Sequence, residues 1–291
     1  MTIFITGSSG KTASHLANLL TPTHAILIAS RRPSPDAKYP TVRFDWLDET
    51  TWGLPFAHMQ ARISPITATY LVSPDLQDAR EQVMPFVRFA YLKGVKRFVL
   101  LSAWEVGEGD ACVMGPTHAA LRGMAAREGI EWAVLRPHFF MENFAEPYHS
   151  PCIRDEGKIY TAAGKGTVPF ISARDIASVA HRMLVDEQSH NTDYVITGGD
   201  SLSYAQVADI FSQTLGRKIK HVELSKQELK HKLLEYECPE PQAEYLAELD
   251  VRVGNGEGAE PTETVTKLLG REPYTLQQVV SDLRQEWLQL Q

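Results

Sequence analysis

The chain has 291 residues, 43% of them hydrophobic and 22% charged, which is enough apolar material to bury a large core without disulfide or metal staples. Its 36 acidic and 29 basic residues leave a formal charge of -7, which argues against a nucleic-acid or acidic-membrane surface and favours a small-molecule partner. Cys112, Cys152 and Cys238 are the three cysteines and form no C-x-x-C pair, so the sequence predicts a reducing, cytoplasmic setting and no metal site.

Met1 runs straight into an apolar segment with no basic leader or cleavage site. No run approaches the roughly 18 apolar residues of a membrane span. The first half then alternates short apolar runs with longer helical patterns. The runs are Ile3 to Ile5, Ala25 to Ile28, Val42 to Phe44, Ala68 to Val72, Phe98 to Leu101 and Ala133 to Leu135; the helical stretches include Thr12 to Leu20, Asp78 to Lys93 and His118 to Arg127. Continuous apolar strands joined by crossover helices predict an α/β fold, a Rossmann-like doubly wound parallel sheet. Its ligand crevice would lie at the carboxyl ends of the strands. From residue 146 the pattern changes to loops and helices, with a late strand at Asp193 to Ile196 and two capping boxes, Ser203-x-x-Gln206 and Ser225-x-x-Glu228. Pro239 and Pro241 separate two of these helices, and Gly254 to Pro261 reads as an exposed, mobile loop. We therefore expect a dinucleotide-binding domain at 1–145 and a mostly helical substrate lobe at 146–291, with 171–200 packing back on the sheet.

The first strand leads into Gly7-Ser8-Ser9-Gly10-Lys11-Thr12-Ala13, a G-x-x-G-x-x-A turn that opens a helix. Gly7 permits the tight turn, Gly10 the close approach of backbone to a pyrophosphate, and Ala13 close helix–sheet packing; Ser9, Lys11 and Thr12 complete the phosphate cradle. After the second strand, where an acidic residue would select NAD, stand Ser30, Arg31 and Arg32, whose positive charge suits the 2′-phosphate of NADP(H). By position, Asp45 and Trp46 would flank the adenine, and Ser73 and Pro74 the nicotinamide ribose. Ser102 occupies the place of the catalytic serine of short-chain dehydrogenases, but the stretch that should carry Tyr-x-x-x-Lys reads Met114-Gly115-Pro116-Thr117-His118-Ala119-Ala120-Leu121-Arg122. Reducing a ketone builds negative charge on oxygen and needs an acid; reducing an iminium removes positive charge from nitrogen and needs none in that step. His118 is the best candidate proton handler by residue type, with Ser102 beside it as the second catalytic candidate.

These segments, with Phe44-Asp45-Trp46-Leu47-Asp48, Val134-Leu135-Arg136-Pro137-x-x-Phe140-Met141-Glu142-Asn143-Phe144 and Pro169-Phe170-Ile171-Ser172-x-x-Asp175, resemble the NmrA-like atypical short-chain dehydrogenases. Within them the chain is most similar to the fungal festuclavine and agroclavine dehydrogenases of ergot alkaloid biosynthesis. The resemblance implies NADPH-dependent reduction of a cyclic iminium of a prenylated indole alkaloid in fungal secondary metabolism. Trp104-Glu105-Val106 and Gly115-Pro116-Thr117 depart from the pattern where substrate should lie, so the product does not carry over. Reduction coupled to intramolecular cyclisation of a prenylated-indole diketopiperazine stays open, as does a regulator that binds NADP without turnover. Pro137, Phe139 and Asn143 would cover the nicotinamide. Trp104, His118, His138, Phe139, Met141, Phe144, Tyr160 and Phe170 would wall a flat hydrophobic substrate. The chain would work as a monomer or homodimer.

Overall fold

The computed structural model describes residues 1–7, 10–73, 80–110 and 114–288. Ser9, Pro74 and Cys112 lie outside the described residues. The chain forms two compact units: Met1–Pro137 with Arg174–Ile196, and His138–Ala173 with Thr197–Gln291. The first division therefore falls after Pro137, where the sixth strand ends, rather than after residue 145.

In the first unit the strands are β1 (Thr2–Ile5), β2 (Ala25–Ser30), β3 (Thr41–Arg43), β4 (Ile66–Leu71), β5 (Arg97–Leu101), β6 (Glu131–Pro137) and, late in the chain, β9 (Thr192–Ile196). Among the described residues they make one sheet in the order β3-β2-β1-β4-β5-β6-β9, every neighbouring pair parallel. This is the Rossmann-like doubly wound order expected from the sequence. The chain reverses its direction of winding between β1 and β4, the switch point at whose carboxyl ends doubly wound sheets bind their ligands. Helices α1 (Lys11–Leu20), α2 (Leu54–Ala57), α3 (Met59–Ile63), α4 (Val83–Leu92), α5 (Met114–Glu128) and α6 (Ala173–Val185) belong to the connections. Phe4, Phe44, Trp46, Trp52, Phe86 and Phe98 fill one core. Helix α5 starts four residues before the apolar periodicity suggested. Pro116 falls in its first turn, where the missing amide has no intrahelical partner to lose.

The second unit carries two small strand pairs. β7 (Lys158–Thr161) runs parallel to β11 (Lys220–Glu223), and β8 (Thr167–Val168) antiparallel to β10 (Leu202–Ser203). Around them lie α7 (Tyr204–Leu215), α8 (Lys226–Glu235), α9 (Glu240–Gly254), α10 (Thr264–Leu269) and α11 (Leu276–Asp282). Both predicted capping boxes are present, at Ser203/Gln206 and Ser225/Glu228, with a third at Thr275/Gln278. The core gathers Phe144, Phe170, Tyr204, Phe211 and Trp287, whose indole N–H donates to the Phe144 carbonyl at 3.0 Å. The glycine-rich loop after α9 is held by Arg252, whose Nε donates to Glu257 at 2.9 Å. No helix among the described residues is long and apolar enough to cross a membrane.

The Glu142 carboxylate is buried and accepts from the Ser172 hydroxyl at 2.9 Å and from the Ala173 amide, the first of α6, at 3.0 Å. It thus satisfies an amide that the helix start leaves without a partner. Glu142→Gln keeps one acceptor oxygen and should lower unfolding free energy by about 1 kcal/mol. A urea titration reads this; an unchanged midpoint would remove Glu142 from the fold's hydrogen-bond economy.

Candidate active site

Gly7 follows β1 directly and holds φ at +76°, a left-handed conformation that side chains rarely adopt. A Cβ there would come within 2.9 Å of the Val72 Cβ, so the turn closes against the end of β4 only because residue 7 has no side chain. The Gly10 amide donates to the Gly7 carbonyl at 2.8 Å, and Gly10 itself begins α1 without a side-chain cap. The helix start therefore offers backbone amides unobstructed by a capping side chain, the arrangement that receives a phosphate. Thr6 ties the two central strands at their ends, its hydroxyl accepting from the Val72 amide at 2.6 Å. Lys11 is half-buried at the head of α1. Thr12 faces the other way: it is buried, and the Tyr70 hydroxyl donates to its Oγ1 at 3.1 Å, so its side chain joins α1 to β4 rather than reaching a ligand.

Arg31 and Arg32 stand exposed just beyond β2, and the Ser30 hydroxyl accepts from the Arg32 amide at 3.1 Å, fixing the turn. Asp45 is half-buried, and its carboxylate accepts from the Leu47 amide at 3.0 Å. Trp46 corrects its expected place at the adenine. It is only 6% exposed, packs edge-on against Phe44 and Phe86, and donates its indole N–H to the Val72 carbonyl at 3.1 Å. A tryptophan after a short edge strand gains more from this apolar layer than from an open crevice. Ser73, half-buried, follows the end of β4.

Ser102 follows β5 at the same end of the sheet, and α5 brings His118 to it: Nε2 lies 2.9 Å from Ser102 Oγ. The approach depends on Gly115, where a Cβ would fall 2.4 Å from the Asp110 carbonyl oxygen and 2.7 Å from that of Gly107. His118 is 1% exposed; burial, reinforced by the nearby Arg136 guanidinium, lowers its pKa from 6.5 to about 4. It is a neutral imidazole at physiological pH, hydrogen-bonded to a hydroxyl. Arg136, absent from the sequence-based set, organises this corner. Its guanidinium pairs with Asp193 at 2.6 Å and donates to the Trp104 carbonyl at 2.9 Å, while the Trp104 amide donates to the Pro137 carbonyl at 3.0 Å. The available signal was a charged residue inside an otherwise apolar strand, which demands a partner.

In the second unit the segment after β6 divides its side chains. Phe139 and Asn143 are half-buried, whereas Met141, Phe144 and Phe170 are 4%, 6% and 2% exposed. Phe144 is a correction to the expected substrate wall: it packs against Phe170, Tyr204 and Phe211 as core. Met141 and Phe170 belong to the same core but also line a cavity of about 270 Å³. His138 is buried, its Nδ1 accepting from the Phe139 amide at 3.0 Å, and burial lowers its pKa from 6.5 to about 3, so the imidazole is neutral. Tyr160 is half-buried; its hydroxyl donates to Glu156 at 2.5 Å and the Lys232 ammonium lies 5.0 Å from its ring centre.

Residues 57–283 match the NmrA-like family. Agroclavine dehydrogenase of Claviceps fusiformis is 42% identical, with 99% of each chain covered. Festuclavine dehydrogenase of Aspergillus fumigatus is 38% identical with the same coverage, and an oxidoreductase of Bacillus subtilis is 36% identical over 98% of this chain and 96% of its own. Among solved structures, an NADPH-dependent quinone oxidoreductase of Escherichia coli superposes with a TM-score of 0.77 at 21% identity, covering 97% of this chain and 99% of its own. A Citrobacter triphenylmethane reductase gives 0.76 at 20%, covering 97% and 99%, and both likenesses concern the fold. The chain belongs to the NmrA-like family.

Proposed function

We propose that this protein is an NADPH-dependent reductase that delivers hydride to the C=N bond of a cyclic iminium derived from a prenylated indole alkaloid. The observation that carries the reading is the Ser102–His118 pair: the dehydrogenase serine is kept, but its partner is a buried, neutral imidazole where a Tyr-x-x-x-Lys would protonate a carbonyl oxygen. The similarity to agroclavine and festuclavine dehydrogenases supports the same substrate class.

The residues present fit NADP(H). Gly7 and Gly10 leave room for a pyrophosphate at the α1 amides, and Arg31 with Arg32 would hold the 2′-phosphate. When bound, NADPH supplies the hydride. Ser102 and His118 would orient the acceptor through the hydroxyl, and an uncharged His118 spares a cationic C=N from like-charge repulsion. Arg136 holds the Trp104 segment through its carbonyl. Orientation by itself can supply several kcal/mol of rate enhancement, which suffices where no proton moves with the hydride.

Incubation with NADPH deuterated at C4 of the nicotinamide, and ergoline and diketopiperazine-derived iminiums, tests the reading. Deuterium on the former iminium carbon is the expected result. Label in a newly bridged skeleton would shift the assignment to reductive cyclisation. Tight NADPH binding with no labelled product from any substrate would overturn catalysis in favour of dinucleotide sensing.

A further inference from the structure

The second unit contains a cavity of about 270 Å³ whose floor is Met141, Phe170, Leu202 and Tyr274 and whose rim carries two carboxylates, Asp200 and Glu272. The volume is at the small end of the range for small-molecule pockets. A thioether, two aromatic rings and a leucine favour a flat, polarisable body. Both carboxylates are exposed, and among the described residues no basic residue lines the cavity; with the Arg271 guanidinium carbon 4.9 Å from the Tyr274 ring centre, the two carboxylates still leave an excess of one negative charge at the mouth, which favours a cation. Close by in sequence, the Ser201 hydroxyl is buried with no hydrogen-bond partner among the described residues.

We propose that this cavity is a binding site for a flat, cationic, fused-ring aromatic ligand, with Asp200 and Glu272 selecting the charge and Met141, Phe170 and Tyr274 the ring system. The proposal concerns the second unit by itself and rests on the reading above only for the identity of the natural ligand, a cyclic iminium fused to an indole being such a cation.

The test is a fluorescence titration of the full-length protein with the 2-methyl-β-carbolinium cation, with carbazole as the uncharged ring of similar shape. The cation should bind, carbazole at least ~10-fold more weakly, and Asp200→Asn with Glu272→Gln should weaken the cation ~10-fold while leaving carbazole unchanged. Leu202→Trp, which fills the cavity, should abolish both. Equal binding of cation and neutral ring, or a cation affinity that survives the charge-removing pair, would overturn the proposal. Labelled-product formation is measured separately on the same variants. Intact turnover with no carbolinium binding sinks the cavity and spares the reductase, whereas carbolinium binding with no turnover of any iminium sinks the reductase and spares the cavity.

Discussion

Replacing Arg31 and Arg32 together by alanine should raise the Kd for NADPH roughly 100-fold and change that for NADH by less than about 3-fold. The two cofactors differ only in the 2′-phosphate, and the two guanidiniums lie exposed beyond β2 on a turn fixed by the Ser30 hydroxyl. Charge-assisted hydrogen bonds to a phosphate contribute about 1.5–3 kcal/mol each when sheltered; at an exposed turn solvent screening reduces the pair to about 3 kcal/mol. The turn itself survives substitution, because the Ser30 bond uses the backbone amide of residue 32. Calorimetric titration of each cofactor, at two salt concentrations, checks both the preference and its electrostatic origin. Equal weakening toward NADPH and NADH would show that the arginines act on the fold of the turn and not on the phosphate. The single variants Arg31→Ala and Arg32→Ala divide the effect between them.

The sheet was legible because its strands are covered on both faces and so appear as unbroken apolar runs; Ile3 to Ile5 and Phe98 to Leu101 need no alternation to be recognised. The phosphate turn was legible for a related reason, since only a residue without a side chain fits against Val72 at position 7. Aromatic side chains were less readable. Trp46 and Phe144 carry the same chemistry whether they line a crevice or fill a core, and the choice depends on neighbours far away in sequence, Phe86 for one and Tyr204, Phe211 and Trp287 for the other. His138 shows the same limit. An imidazole in an aromatic loop suggests a ligand contact, yet the ring is buried and its Nδ1 accepts from the next amide along the chain. Arg136 is the opposite case: a guanidinium in an apolar strand has to find a carboxylate, a signal readable in the sequence, and Asp193 on the neighbouring strand β9 supplies it.

His118→Ala should lower kcat by about 10-fold, not abolish turnover, and the wild-type rate should be flat from about pH 6.5 to about pH 8. Burial disfavours the imidazolium, with Arg136 adding to it, so the folded-state pKa is about 4 against 6.5 for a free histidine. Across that interval the unfolded chain binds the extra proton, so stability is full above pH 6.5 and declines as pH falls towards 4; rates are therefore read above it. Within the readable range His118 stays neutral. Were it the acid of the reaction, kcat would instead rise about tenfold for each unit of falling pH, and that slope would vanish in His118→Ala. Observing such a slope would restore proton transfer to the hydride step and exclude an iminium acceptor that needs none. A flat profile with a modest loss assigns His118 to orienting Ser102 across 2.9 Å, a role that His118→Asn should partly rescue because an amide can still meet the hydroxyl. Ser102→Ala should then match His118→Ala, and the double variant should cost little more than either, as expected of two groups acting through one hydrogen bond.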